Sequence, residues 1–388
     1  MDVVTERVGS GAPPWIDRVL NLRGWAIANL IANIGIVVTG ATVRLTDSGL
    51  GCPTWPQCTE SSYLPHAALG IHGIIEFGNR TLTFVLGVVA ILTAIAAFRL
   101  RDRRRPRGDL PRLGVLLAIG VPVMGIGLAA MAASGYHPVA VILLVAVFIA
   151  LVVVSVLLTR SRTGADPTSR RHEQARRLAL LVALGIPAQA VVGGITVVTE
   201  LNPWVVGGHL MASLVLIVIA TWLVRLAGGR PRPVVTRAGW TAARATAIVM
   251  VVVLWLGTVV TGSGPHSGDQ DARRTGLDPA LMSHIHAGAV YTVVALTILT
   301  LVLVRRRAVV LLLVAEVAQG AIGLVQYWTG LPIVLVALHV LGAGLLTAAA
   351  ANLVWSTAPP GADPSAAVEG AEPEGFVPAT ADRVNSLR

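Results

Sequence analysis

Ten stretches of this chain are apolar and long enough to cross a bilayer: roughly 25–43, 70–98, 112–133, 138–159, 178–199, 204–226, 242–262, 283–304, 308–328 and 332–355. The pattern predicts an all-α integral membrane protein with about ten transmembrane helices, because a helix satisfies its own backbone in lipid. The connections between the spans alternate. Those at 99–112, 160–177, 225–244 and 305–307 are arginine-rich, whereas those at 44–69, 134–137, 200–203, 263–282 and 329–331 hold few basic residues. Twenty-six of the thirty arginines then fall on one side. The positive-inside rule makes that side the cytoplasm, so both termini are expected there, in a multi-pass protein of a bacterial-type cell membrane.

The polar positions repeat. "QAVVGGITVVTELNPWVVGGH" runs from Gln189 to His209 and "QGAIGLVQYWTGLPIVLVALH" from Gln319 to His339. In both, Gln is followed by Gly (Gly193, Gly323), Thr (Thr199, Thr329), Leu (Leu201, Leu331) and His at the same spacings. A weaker echo links "VVTGATVRL" from Val37 with "VVTGSGPHSG" from Val259. Internal duplication follows. It divides the spans into two pseudo-symmetric four-helix bundles plus an inserted helical hairpin. Residues 25–98 and 178–227 form the first unit, 112–160 the hairpin and 242–355 the second unit. Residues 1–24 are a cytoplasmic tail, and 356–388, rich in Pro, Ala, Gly and Glu, form a disordered cytoplasmic tail.

Composition agrees with this reading. Hydrophobic residues make up 54% and charged residues 13% of the 388, too little charge to cover a soluble surface of that size. The formal net charge of +10 sits between the apolar segments, so it points to the bilayer and to no nucleic acid. No small-residue cleavage site follows the first span, so a removable signal peptide is not expected.

Ionisable groups inside spans are costly and mark candidate chemistry. They are His72, Glu76 and Arg80 in span 2, His209 in span 6, His284 and His286 in span 8, Glu316 in span 9 and His339 in span 10. His209 and His339 lie 16 residues from the cytoplasmic ends of their spans and His286 lies 19, about 24–29 Å at 1.5 Å per residue. A histidine pair facing across a bundle at one depth suits the two axial positions of haem iron. Copper or zinc would want further ligands. The competing reading is a histidine that only hydrogen-bonds a neighbouring helix. His284, two residues from His286, points to another face.

Glu76 lies one helical turn from both His72 and Arg80. It is either half of a structural ion pair or a proton-handling carboxylate. Glu316 has no counterpart in the first unit, where Ile186 stands, and is read as structural. Cys52 and Cys58 share one short loop, where a structural disulfide competes with thiol exchange or haem handling.

Together, "SGLGCPTWPQC", "IIEFGNR", the two Gln–Gly–His blocks, "GPHSGD" and "SHIHAG" resemble the haem A synthases, membrane oxidoreductases of cytochrome oxidase assembly. The resemblance implies a haem b cofactor held by His286 and His339 in the second unit. It implies haem O as substrate in the first, its C8 methyl oxidised to the formyl of haem A by successive hydroxylation. His209 maps to the first-unit iron ligand and Glu76 to the essential glutamate, with His72, Asn79 and Arg80 in the substrate pocket. An electron donor, haem O synthase and cytochrome oxidase assembly factors are the implied partners. The chain departs from the family at Asn79, where Glu-x-x-His-Arg is usual, and in having ten spans instead of eight. His72 is about 10 Å further along the axis, which leaves His209 alone on the substrate haem. The alternatives are a non-enzymatic di-haem b-type electron-transfer protein, which would not need Glu76, and a transporter.

Overall fold

A computed structural model describes residues 19–101, 109–133, 153, 167–229 and 232–362. The second arm of the expected hairpin (138–159) apart from residue 153, its Tyr136–His137 turn, and most of both terminal tails lie outside them. Among the described residues the chain is helical with no strand. The helices are α1 (Leu22–Leu45), α2 (Gly70–Phe98), α3 (Leu110–Ala133), α4 (Pro167–Val198), α5 (Pro203–Ala227), α6 (Arg237–Ser263), α7 (Pro279–Val304), α8 (Arg307–Trp328) and α9 (Ile333–Trp355). α1, α2 and α4–α9 are each long and apolar enough to cross a membrane, and the protein is a multi-pass membrane protein. α3 is the first arm of the expected hairpin and packs on α2.

Helix starts follow local chemistry. The Asn202 and Asp278 side chains accept hydrogen bonds from Trp204 N and Leu281 N, each with proline in the first turn of the helix it caps. α4 begins eleven residues before the apolar run at 178, because the polar stretch TSRRHEQARR continues the same helix. There Arg171 donates to the Leu226 carbonyl at 2.9 Å and Arg176 to the Leu100 carbonyl at 2.6 Å, so the extension ties three helix ends together.

α1, α2, α4 and α5 pack as one ring, each against the next, and α6, α7, α8 and α9 pack as a second. The rings meet where α9 lies on α1 and α5, and α5 on α6. At the arginine-rich end this seam is held by Trp222 Nε1 donating to the Ala351 carbonyl at 3.2 Å and by Arg225 donating to Ser356 Oγ at 3.2 Å. At the opposite end Arg44 of α1 donates to the His266 carbonyl at 2.7 Å and to the Thr261 carbonyl at 3.1 Å, both from the second unit.

The sequence repeat is also a backbone repeat. The α4–α5 turn places Glu200 and Leu201 at φ +51° and +56°, and the α8–α9 turn places Gly330 and Leu331 at +76° and +61°. Two successive left-handed residues reverse the chain in both units, with glycine at the first place in one and glutamate in the other.

Candidate functional site

The second ring is the simpler. His286 of α7 and His339 of α9 are both half-buried, on opposite helices of the ring. Each ring lies against a glycine of the preceding helix. A Cβ on Gly257 would stand 3.4 Å from His286 Cε1, and one on Gly323 would stand 3.2 Å from His339 Cε1. Gln319 Nε2 donates to the His339 carbonyl at 2.6 Å. Its reach depends on Gly342, where a Cβ would run into the glutamine side chain. His339 Nδ1 is buried with no hydrogen-bond partner. His286 Nδ1 is buried without a hydrogen-bond partner too. His284 faces elsewhere: it is exposed, with Nδ1 2.7 Å from the Ala280 carbonyl and its ring edge on Tyr327.

The first ring repeats half of this arrangement. A Cβ on Gly193 would stand 3.4 Å from His209 Cε1. Gln189 Nε2 donates to the His209 carbonyl at 3.2 Å, with a second bond to Ser213 Oγ at 3.0 Å. His209 Nδ1 is also buried without a partner. A buried nitrogen left unsatisfied costs about 1–3 kcal/mol, and it recurs at three histidines that share the glycine cradle. Imidazoles oriented by packing, with ring nitrogens that no protein group claims, fit an iron ligand. Among the described residues no three His, Cys, Asp or Glu side chains come together as a bare metal site. Histidines presented in this way could serve as axial ligands to a haem iron.

The other half of the first ring is different. Glu76 of α2 is buried, and its partners are all donors: Arg80 Nη2 at 2.5 Å and Nε at 3.1 Å on Oε1, and the Cys52 backbone N–H at 2.6 Å on Oε2. Arg80 continues outward to the carbonyls of Cys52, Thr54 and Gln57, each at 3.1 Å. A disulfide joins Cys52 to Cys58. The cysteine loop is thus a lid fastened to Glu76 and Arg80. Its seat demands glycine at two places: a Cβ on Gly51 would strike the His72 carbonyl, and one on Gly194 would strike the Trp55 ring. His72 is exposed and lies 3.0 Å from Ser48 Oγ through Nδ1. Asn79 Oδ1 accepts from Thr39 Oγ1 of α1 at 2.8 Å. In the second ring, Glu316 Oε1 accepts from Thr297 Oγ1 at 2.8 Å and is buried between α7 and α8.

Glu76, Arg80 and Cys52 are therefore brought together, with His209 on another helix of the same ring. His72 is turned toward Ser48, and Arg80 is spent on the loop. Trp55, Thr39 and Gly257 were not among the expected site residues. A signal existed for the last: "GIVVTG" at Gly35–Gly40 matches "GTVVTG" at Gly257–Gly262, extending the echo noted above by two residues.

A family model described as cytochrome oxidase assembly protein matches residues 23–161. The haem A synthase of Halalkalibacterium halodurans is 34% identical over 109 residues, covering 27% of this chain and 36% of that protein. That of Caulobacter sp. is 30% identical over 123 residues, covering 30% of this chain and 35% of that protein. A Thermus thermophilus protein named protohaem IX farnesyltransferase is 34% identical over 99 residues, 25% of this chain and 15% of that protein. The chain spans about a third of the length of the haem A synthases it matches. These matches bear out the resemblance to the haem A synthases.

Proposed function

We propose that this chain is a haem A synthase, oxidising the C8 methyl of haem O to a formyl group. The observation that carries the proposal is the asymmetry between two rings built on one repeat. One has two glycine-cradled histidines on opposite helices. The other has one such histidine and, on the opposite helix, a buried carboxylate under a disulfide-closed loop. Two equal electron-transfer sites would have no use for the second arrangement.

In this reading His286 and His339 hold haem b in the second ring, and His209 holds haem O in the first. Bound there, haem b supplies one-electron redox chemistry. Gln189 and Gln319 fix the backbone of the helical turn that carries each histidine, and the glycines set the ring planes. Glu76 Oε2 faces the loop and Oε1 faces Arg80, so the carboxylate is held by donors in one orientation. Its role is to take up and return protons as the methyl group is oxidised. Arg80 and the loop keep that orientation and cover the carboxylate from water. A farnesylated protohaem is the class of molecule to which haem O belongs, so the shared segment with a farnesyltransferase supports haem O synthase as a partner. The arginine distribution supports both termini in the cytoplasm, which puts the cysteine loop on the outer face.

The test is haem extraction and chromatography from cells that produce haem O and express this chain. Haem A is expected from the unaltered protein, and its absence would sink the enzyme reading. Glu76→Gln is expected to abolish haem A while the haem spectrum of the purified protein is unchanged. A normal yield of haem A would remove the glutamate from the chemistry.

A further inference from the structure

A cavity of about 370 Å³ lies at the arginine-rich end of the first ring, among the start of α1, the end of α2, the polar extension of α4 and the end of α5. That volume falls within the range of small-ligand sites, about 300–1,000 Å³. Three arginines from three helices line it: Arg23 in the first turn of α1, Arg99 directly after α2 and Arg171 in the α4 extension, with His172 beside the last. Among the described residues no aspartate or glutamate lines it. Part of the lining is apolar, since Ala96 and Ala175 belong to the buried core of the same ring.

The arginines are not equivalent. Arg171 is half-buried and donates through Nε and Nη2 to the Leu226 carbonyl at 3.2 and 2.9 Å, which fixes its guanidinium at the cavity. The Arg23 side chain is exposed, and only its backbone N–H is bonded, to Asn21 Oδ1 at 2.9 Å. Cations gathered around one space repel each other, and the apolar medium on one side screens them less than water would. An anion in the cavity offsets that repulsion. The guanidinium fork matches the oxygens of a phosphate. Depth says which phosphate. Arg23 stands just before the apolar run that starts at 25, and Arg99 just after the one that ends at 98, so both lie where hydrocarbon gives way to headgroups.

We propose that this cavity binds the phosphate of an anionic phospholipid, with Arg23, Arg99 and Arg171 as its cationic wall. The headgroup bridges three helix ends and is a structural ligand of the first ring. It is independent of what the histidines of either ring hold.

The experiment uses the full-length protein, purified in detergent, stripped of lipid and then given phosphatidylglycerol or phosphatidylcholine of the same acyl chains. Native mass spectrometry counts the bound lipid, and the midpoint of thermal unfolding is the second readout. One phosphatidylglycerol per chain is expected, held at least tenfold more tightly than phosphatidylcholine, with a raised midpoint. Arg23→Gln removes no hydrogen bond named above and should weaken that binding at least tenfold. Adding Arg171→Gln should abolish it. Arg307→Gln, which removes one charge from the same end of the second ring, should leave it unchanged. Equal retention of the two lipids would overturn the proposal, as would binding undiminished in Arg23→Gln or weakened as much in Arg307→Gln. Inorganic phosphate alone raising the midpoint as far as the lipid does would assign the cavity to a free anion and overturn the lipid as its occupant.

Discussion

The two rings share a helical frame and differ in what lines it. In the second, the pattern closes on itself: a glycine faces each of two histidines, and Gln319 braces one of them from behind. In the first, the His209 half is kept, with the same glutamine and glycine, and the other half is given over to Glu76, Arg80 and the cysteine loop. The positions equivalent to Asn79 and Arg80 in the second ring are His286 and Ala287. The rings share one frame and part on α2, where Glu76, Asn79 and Arg80 stand in place of Ser283, His286 and Ala287, so the second presents a histidine from each of two opposite helices and the first from one. A cofactor that stays bound suits the former, and a substrate that must enter, react and leave suits the latter.

The largest effects should come from breaking one cradle and watching the other. His339→Ala is expected to remove the second-ring haem entirely, halving the haem-to-protein ratio by pyridine haemochrome assay. His209→Ala should remove the first-ring haem and keep the second. Loss of both haems from either variant would mean that the rings are not separate sites.

Next is Arg80→Lys, which keeps the charge and loses the fork. The guanidinium reaches Glu76 and three loop carbonyls at once, and an ammonium with three donors on a point charge cannot. Haem A formation is expected to fall by about tenfold or more, each 1.4 kcal/mol of lost positioning being a factor of ten. The Cys52–Cys58 disulfide should also become more rapidly reducible by added thiol, because the loop is no longer pinned. The equivalent Ala287 carries no such burden. Unchanged disulfide reduction in Arg80→Lys would show that the loop does not depend on the arginine.

Much of this division could be read from the chain. The spans were visible as apolar runs, since lipid allows the helix few alternatives, and the Gln–Gly–His blocks exposed the duplication. The glycine cradles were half legible. Gly193 and Gly323 stood out by spacing, whereas Gly35 and Gly257 fell just outside the recognised echo. The lid was not legible. That Arg80 turns outward to the Thr54 and Gln57 carbonyls, more than twenty residues away, depends on how the loop folds back, and no periodicity encodes that. For the same reason the contacts of His72 with Ser48 and of Arg80 with the loop carbonyls, two residues that the resemblance implied for the substrate pocket, could not be read from helical spacing.

A third comparison sits in the cradles themselves. Gly323→Ala places a methyl 3.2 Å from the His339 ring, and Gly193→Ala places one 3.4 Å from His209. The tighter site should lose more. Overpacking of this kind costs about 1–3 kcal/mol, so the midpoint of thermal unfolding should drop further for Gly323→Ala. Its second-ring Soret band should also shift while the first-ring band stays.

The smallest effect belongs to the turn where the repeats differ in one residue. Glu200 holds the left-handed conformation that Gly330 holds in the other unit. A side chain there costs about 1–2 kcal/mol in steric strain. Glycine would remove that cost but add roughly 0.5–1 kcal/mol of unfolded-chain entropy. Glu200→Gly is therefore expected to stabilise by less than about 1 kcal/mol, with both haem spectra unchanged. Gly330→Glu should destabilise by a similar amount. Opposite signs in the two thermal shifts would establish that the turns are one element used twice. Equal signs would mean that each turn has settled into its own surroundings, and that the duplication survives only in the helices that cradle the histidines.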